Sequence, residues 1–98
     1  MKGRGIGAID RVVHEPARLA ILTTLAVVDE ADFVYLQRAT GLTAGNIASH
    51  TSRLEEEGYV ATDKATGGPR RRTVYRLTPR GRRQLGEYRT AIAEILGL

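Results

Sequence analysis

Hydrogen-bonding side chains recur at helical spacing in the stretch TAGNIASHTSR, which runs from residue 43 to residue 53. Asn46, Ser49 and Arg53 are three and four residues apart, which places them on one face of a helix. An asparagine amide can pair with adenine, an arginine with guanine or phosphate, and a serine hydroxyl with a base or a phosphate. Ordinary solvent-facing helices carry similar polar groups. The spacing therefore leaves two interpretations open, a nucleic-acid contact surface and a plain hydrated face.

The apolar positions of this helix define which side faces outward. If Ile47, Thr51 and Leu54 point inward, a turn of about 100° per residue directs a different set toward solvent. That outward set is Gly45, Asn46, Ser49, Ser52, Arg53 and Glu56. Small residues at its start would let the helix approach a partner closely, while the acidic run at 55–57 would repel DNA and should point away from it. The candidate DNA-binding residues of this helix are Thr43, Ala44, Gly45, Asn46, Ser49, His50 and Arg53.

The two histidines and the absence of cysteine bear on catalysis and metal binding. His50 lies on the flank of the helix, where a phosphate contact and packing against the preceding helix are both possible, while His14 precedes a helix start and is predicted to be structural. No ligand-like spacing is present, so we predict no metal and no cofactor. Ser49 and His50 point about 100° apart on a helix and cannot form a nucleophile and base pair by themselves. We therefore predict that the protein is not an enzyme.

Positive charge is concentrated in the last third of the chain. Residues 1–63 carry six Lys or Arg against nine Asp or Glu, whereas residues 64–98 carry nine against two. The eight basic residues between 64 and 83 have no acid among them, a pattern that favours a polyanionic partner. A solvated basic face kept for solubility is the alternative. The candidate DNA-binding residues of this cluster are Lys64, Arg70, Arg71, Arg72 and Arg76.

Helix start and stop signals divide the 98 residues into segments of one domain. Glu15-Pro16 and Thr78-Pro79 place proline in a first helical turn, Asp32 and Thr43 are N-cap candidates, and Gly58 can end a helix. We predict an α+β, mainly α, fold. Its segments are an N-terminal extension at 1–14, helices at 15–28, 32–39 and 43–57, a wing hairpin at 59–77 and a C-terminal helix at 79–96.

The hairpin prediction depends on alternation within residues 70–77. Tyr75 and Leu77 fall on one face of the strand, and Arg72 and Arg76 fall on the other. The preceding ATGGP contains turn-forming residues, so the hairpin would have a basic tip and one buried face.

The C-terminal helix carries a longer apolar stripe than one side of a small core needs. The predicted dimerisation residues are Leu85, Tyr88, Ile92, Ile95 and Leu96. A second copy of the chain could bury the excess apolar surface. The stripe could instead fold back over Ile6, Ile9 and Val12 of the same chain. An exchange of helices between two chains would use both arrangements. We predict a homodimer on a two-fold related DNA site, with half-sites about one helical turn apart.

The order of elements, with TGLTAGNIASHTSRLEEEGYV followed by a basic hairpin and YRLTPRG, resembles winged-helix DNA-binding regulators of the MarR and ArsR type. HEPARLAIL at 14–22 is similar to their first core helix, and the resemblance covers about residues 8–96. It implies a winged helix-turn-helix regulator, usually a homodimer, with the third helix in the major groove and the wing on the backbone or minor groove. Metal-sensing ArsR members commonly use cysteines, which this chain lacks.

These observations favour a sequence-specific, homodimeric binder of double-stranded DNA, most often a repressor in families of this kind. A nonspecific architectural nucleic-acid binder and a protein-interaction module are the alternatives. The longest apolar stretch, about ten residues, is too short to span a bilayer. We expect a cytoplasmic protein with no membrane partner and no evident small-molecule effector.

Overall fold

The computed structural model describes residues 5–65 and 72–98 of the chain. Over these two ranges the backbone forms four α-helices, three strands and a short 3₁₀ helix at Ile6–Ala8. The elements are α1 (Pro16–Val28), β1 (Glu30–Asp32), α2 (Phe33–Thr40), α3 (Ala44–Glu56), β2 (Val60–Ala65), β3 (Arg72–Leu77) and α4 (Pro79–Leu96). The predicted class, α+β and mainly α with a winged helix-turn-helix arrangement, is confirmed.

Helix α1 lies at the centre of the core because one of its faces is wholly apolar. The side chains with no exposed surface in and around it are Val13, Ile21, Leu22, Leu25, Leu36, Ile47 and Leu54. They come from the N-terminal segment, α1, α2 and α3, so burial of this set joins the first half of the chain into one unit. Each such side chain contributes about 1.5–3 kcal/mol of burial free energy.

The sheet has three antiparallel strands in the order β1-β3-β2, one more than the hairpin predicted from the sequence. β1 pairs with β3 so that Ala31 lies opposite Tyr75. The sequence missed this strand because it is only three residues long and two of the three are acids, which have low strand propensity. Its pairing depends on the free edge of β3, and Ala31 and Tyr75 are buried together beneath it.

The helix-turn-helix unit is built from local signals that the sequence displayed. The Asp32 side chain accepts a hydrogen bond from the Tyr35 N–H at 2.8 Å and caps α2. The Thr43 side chain accepts one from the Asn46 N–H at 3.2 Å and caps α3. Gly41 lies between the two helices at φ 74°, a left-handed conformation that favours glycine. Tyr35, in the first turn of α2, is 47% exposed.

Part of the apolar stripe of α4 packs within the protomer. Leu85 is 5% exposed and Tyr88 is 8% exposed, and the Tyr88 hydroxyl lies 2.9 Å from Nδ1 of His14. Ile92 packs partly buried against the same core. Leu85 and Tyr88 are therefore covered within their own protomer, and their role as dimer contacts, which an exchange of helices would require, stays a prediction. Contact with Tyr88 gives His14 the structural role predicted for it.

Candidate nucleic-acid interface

Helix α3 turns the predicted polar set toward solvent. Its buried residues are Ile47, Thr51 and Leu54, as the apolar spacing required. The exposed residues from its N-cap onward are Thr43, Ala44, Gly45, Asn46, Ala48, Ser49, Ser52, Arg53, Glu55 and Glu56. A Cβ at Gly45 would meet no atom within 4 Å, so the protein surface itself leaves open space there. The start of α3 is thus a polar surface with small side chains, which a bulky partner can approach closely.

The N-terminal turn of α3 has free hydrogen-bond donors. The first amides of an α-helix have no carbonyl partner within the helix, and those of Ala44 and Gly45 belong to this class. The Thr43 hydroxyl accepts the Asn46 N–H, which leaves its own proton available to an acceptor such as a phosphate oxygen. Amides at a helix start combine with the helix dipole to favour anions.

Negative charge ends the polar face of α3. Arg53 lies beside Glu57 with an Nη1 to Oε2 distance of 3.9 Å, in an exposed pair one turn apart. Such surface pairs contribute only about 0–1 kcal/mol, so the guanidinium can exchange this partner for another. Beyond Arg53 the exposed residues are Glu55 and Glu56. The surface suited to an anionic partner is therefore the part of the helix from Ala44 to Arg53.

His50 is half-buried on the flank of α3 and contacts a residue that the sequence analysis did not select. Its Nδ1 lies 3.3 Å from Nη1 of Arg18 in α1. The ring of His50 therefore contacts α1 through Arg18, while a phosphate contact and packing against α2 both stay predictions. Arg18 is the one charged residue of α1, PARLAILTTLAVV, and a lone arginine in an apolar helix was the available signal for such a contact.

The wing is described up to its tip. Lys64 is exposed near the end of β2, and Arg72 and Arg76 are exposed on β3. The predicted wing residues Arg70 and Arg71 lie outside the described residues, as do residues 67–69, where the sequence predicts the turn.

The outward face of the sheet carries acids beside its arginines. The register places Arg72, Val74 and Arg76 on one face of β3, and the acids Glu30, Asp32 and Asp63 lie on that same face. Arg72 Nε is 3.7 Å from Asp32 Oδ2, and Arg76 Nη1 is 3.7 Å from Asp63 Oδ2. These pairs are weak in solvent, but they lower the net charge that the arginines present. The local count of basic residues therefore overstated the positive charge of this face.

A tight turn joins the end of α3 to the wing. The N–H of Gly58 donates to the carbonyl of Glu55, and the N–H of Tyr59 donates to the carbonyl of Leu54. Gly58 has φ 82°, so this is the left-handed C-terminal cap predicted for it. Tyr59 and Leu54 are both buried, which fixes the direction in which β2 leaves the helix.

The first turn of α4 is tied to the three carbonyls that follow α3. The carbonyl of Glu57 accepts from Arg80 Nε at 3.1 Å, that of Gly58 from the Thr78 hydroxyl at 2.6 Å, and that of Tyr59 from the Thr78 N–H at 3.0 Å. A Cβ on Gly81 would overlap the Tyr59 carbonyl oxygen. The wing exit is therefore held at a fixed position relative to the exposed face of α3.

Tyr59 also connects this junction to the N-terminal segment. Its hydroxyl donates to Oδ2 of Asp10, whose Oδ1 accepts from the N–H of Val12 at 2.8 Å. Burial, and then the hydrogen bond to Asp10, raise the pKa of Tyr59 to about 12. The Arg80 guanidinium lies 5.5 Å from the ring centroid of Tyr59, within range for a cation–π interaction. Neither Asp10 nor the Tyr59 contact was evident in the sequence, because the partners are 49 residues apart.

A cleft of about 380 Å³ separates the N-terminal segment from the last turns of α4. It is lined by Ile6, Ile9, Arg11, His14, Ile92 and Ile95. The stripe of α4 thus does face Ile6 and Ile9 of its own chain. Toward the C-terminus the apolar side chains are uncovered, with Ile95 47% and Leu96 63% exposed.

Within residues 5–65 and 72–98, no group of three His, Asp or Glu side chains comes together in a way that could hold a metal ion. None of the helices in the described part of the chain has the length and apolar character needed to cross a membrane.

Comparison with known proteins agrees with this arrangement. An uncharacterized protein of Methanocaldococcus jannaschii is 34% identical over 88 residues, which cover 90% of this chain and 92% of that one. The solved structure of a transcriptional regulator homologue from Pyrococcus horikoshii superposes with a TM-score of 0.84 at 30% identity, covering 90% of this chain and 87% of the other.

A more distant structure shares the fold. A MarR family transcriptional regulator from Silicibacter pomeroyi has a TM-score of 0.70 at 23% identity, with 88% of this chain and 56% of the other covered. The resemblance to winged-helix regulators seen in the sequence is thereby confirmed. The model of a family described as winged helix DNA-binding domain, a family of regulators and not of enzymes, matches residues 17–96. The chain therefore belongs to the winged helix DNA-binding domain family.

Proposed function

We propose that this protein is a sequence-specific, homodimeric regulator of transcription that binds double-stranded DNA and represses by covering promoter sites. In this proposal α3 enters the major groove with the part from Ala44 to Arg53, and the wing lies against the backbone or minor groove. The observation that carries the proposal is the exposed start of α3. It combines small residues, free amide donors and the side chains of Asn46, Ser49 and Arg53 on a single face.

The wing and the junction support this arrangement. Lys64 and Arg72 are exposed near the end of the hairpin, where phosphates on either side of a groove would be within reach of a bound wing. Because the carbonyls after α3 are hydrogen-bonded to the start of α4, the wing and α3 can dock together without a change of angle. The α3 surface would then read the base sequence and the wing would contact phosphates, with the angle between the two surfaces fixed.

The proposed dimer uses the far end of α4. Ile95 and Leu96 are uncovered there, Leu98 is 91% exposed, and Ile6 of the N-terminal segment is 76% exposed nearby across the cleft. A second copy would remove this apolar surface from water and would give two α3 helices related by a two-fold axis. Of the predicted dimerisation residues, Ile92, Ile95 and Leu96 remain in the proposal.

Selection of bound fragments from a genomic or random duplex pool with the purified protein tests specificity and symmetry together. We expect an enriched motif with two-fold symmetry and half-site centres about 34–36 Å apart along the duplex. Bound fragments that share no motif would support an architectural binder. Absence of binding at low salt would support a protein-interaction module, and either result contradicts the proposal.

Substitutions on α3 test which residues read sequence. Asn46→Ala and Arg53→Ala should each relax the motif at particular positions, since a paired hydrogen bond to a base is worth about 1–3 kcal/mol of discrimination. Ser52→Ala is the matched control, because Ser52 is exposed on the same helix but is not among the proposed reading residues. A motif unchanged by Asn46→Ala and Arg53→Ala would contradict sequence reading by this helix.

Sedimentation analysis tests the dimer. The wild-type protein should sediment as a dimer at micromolar concentration, and Ile95→Lys with Leu96→Lys should give a monomer that binds one half-site. Val27→Lys is the control, since Val27 is 82% exposed in the last turn of α1, a comparable helical position on another surface. A monomeric wild-type protein that binds a single half-site would contradict the dimer.

A further inference from the structure

The contact between Arg18 and His50 determines which ring nitrogen of the neutral histidine carries the proton. A guanidinium has five donor protons and no acceptor, so the atom it contacts must accept. Nη1 of Arg18 lies 3.3 Å from Nδ1 of His50, which assigns the lone pair to Nδ1. A neutral imidazole with an acceptor at Nδ1 carries its proton on Nε2. The contact therefore selects one of the two tautomers of His50.

Arg18 is held in place by other groups than His50. Its Nε donates to the carbonyl of Val12 at 2.6 Å, and its Nη2 donates to the carbonyl of Arg11 at 3.4 Å. Its backbone N–H donates to the Glu15 carboxylate that caps α1. The guanidinium thus joins the N-terminal segment to the flank of α3, and its position does not depend on the histidine.

Nε2 of His50 lies at the other edge of the ring from this contact. His50 is half-exposed, and among the residues that the structure describes no acceptor receives the Nε2 proton. One turn earlier on the helix, Asn46 is fully on the exposed face. The free Nε2–H therefore lies at the border of the surface proposed to contact DNA.

We propose that Arg18 is a positioning residue for DNA recognition, which orients His50 so that its Nε2–H donates to an acceptor on the duplex, a phosphate oxygen or the acceptor edge of a purine. Arg18 itself does not touch DNA in this arrangement. The inference rests on the proposed function, because it assigns a donor within the α3 interface. It adds a residue of α1, outside the helix-turn-helix, to the groups that determine binding.

Two substitutions of His50 separate its ring nitrogens. A glutamine places its Nε2–H₂ donor near the position of the histidine Nε2, whereas an asparagine reaches only to the position of Nδ1. We expect His50→Asn to weaken binding to the selected duplex about five- to tenfold, the effect of one lost hydrogen bond, and His50→Gln to retain most of the affinity. Equal affinity of the two variants would overturn the inference.

The role of Arg18 is tested by coupling and by spectroscopy. Arg18→Met keeps the length of the side chain and removes its donors, and should weaken binding by no more than His50→Asn does, because the ring can still adopt the Nε2–H tautomer. The double variant should be no weaker than His50→Asn alone, because Arg18 acts on DNA only through the His50 donor. Additive losses would overturn the positioning role.

Nitrogen NMR of the free protein provides a readout that DNA binding does not enter. The wild-type His50 ring should show a protonated Nε2 and an unprotonated Nδ1, and Arg18→Met should show a mixture of tautomers. A proton on Nδ1 of the wild-type ring would overturn the inference alone. Failure of the wild-type protein to bind any duplex would overturn the proposed function as well, so the two failures are distinguishable.

Discussion

The exposed start of α3 and the outward face of the sheet differ in how their polar groups are used. On α3, Asn46 and Ser49 and the first amides face solvent, with charge kept to a single arginine at Arg53. On the sheet, Arg72 and Arg76 each lie beside an acid from another strand or strand end. One surface therefore presents uncommitted hydrogen-bonding groups, and the other presents charge that is already partly balanced.

This difference bears on how affinity and specificity would be divided. Free donors and acceptors can distinguish bases, because a mismatched base leaves them unpaired. Arginines beside acids attract phosphate more weakly than isolated arginines do. In the proposed complex the sheet would then limit nonspecific affinity, while the start of α3 would supply discrimination. The junction around Tyr59 matters to both, since it holds the two surfaces at one angle.

The largest effect is expected from Gly81→Ala, which should disrupt the junction that holds α3 and the sheet at one angle. An added Cβ would overlap the Tyr59 carbonyl and lie 2.9 Å from Leu77 Cδ1, so backbone must move. We expect a loss of about 3 kcal/mol in the free energy of unfolding, measured by chemical denaturation. Gly86→Ala is the control, because its Cβ meets nothing within 4 Å and should stabilise the same helix. Equal stability of the two variants would show that the junction is not tightly packed.

Gly45→Leu tests whether the start of α3 needs close approach. Gly45 faces open space, so the free protein should be as stable as wild type or more so. Affinity for the selected duplex should nevertheless fall about tenfold or more, roughly 1.4 kcal/mol, because the side chain would hold the helix away from the bases. Gly86→Leu on α4 should leave affinity unchanged in the same titration. Unchanged affinity in Gly45→Leu would place the contact surface elsewhere.

Removing acids from the sheet should increase affinity for DNA of any sequence. Asp63→Asn frees Arg76, and Asp32→Asn frees Arg72 while the amide oxygen can still cap α2. We expect gains under about 1 kcal/mol at low salt, with a dependence of log affinity on log salt that steepens by up to about 1 per freed contact. Glu94→Gln, with the same charge change at the end of α4, is the control. If it raises affinity equally, the ion pairs have no local effect.

The smallest effect concerns Tyr59 and appears only in alkali. Below pH 10 the tyrosine is neutral in both folded and unfolded chains and makes no pH-dependent contribution. Between pH 10 and about 12 the unfolded chain loses this proton while the folded chain keeps it, so stability falls as the pH rises. Denaturation at pH 9 and pH 11 should show a larger decrease for wild type than for Tyr59→Phe. Identical decreases would show that the pKa of Tyr59 is not raised in the folded protein.

Helix α3 was predictable from the sequence because its determinants are local. Ile47, Thr51 and Leu54 repeat at helical spacing, Thr43 caps the start and Gly58 ends the helix, and these signals act within a few residues. Its outward face follows from the same periodicity. The DNA contacts assigned to that face stay predictions, which the proposed substitutions test.

The β1 strand and the apolar stripe of α4 were less predictable. Glu30–Asp32 has no strand signal of its own and pairs because β3 offers a free edge. Leu85 and Tyr88 have the spacing of an interface stripe, but spacing cannot tell which surface covers a helix face. Here α1 and the N-terminal segment lie over part of it, and Tyr88 contacts His14.

By itself the sequence determined the order of the helices, their caps, the polar face of α3 and the basic character of the hairpin, because each depends on neighbours within one or two turns. The tertiary structure alone decided which charged side chains form pairs and which polar side chains are held in one orientation by a hydrogen bond. Arg18 meets His50 across 32 residues, and Tyr59 meets Asp10 across 49. Such contacts follow from how the core packs, since side chains distant in sequence become neighbours only when burial of the apolar faces brings their elements together.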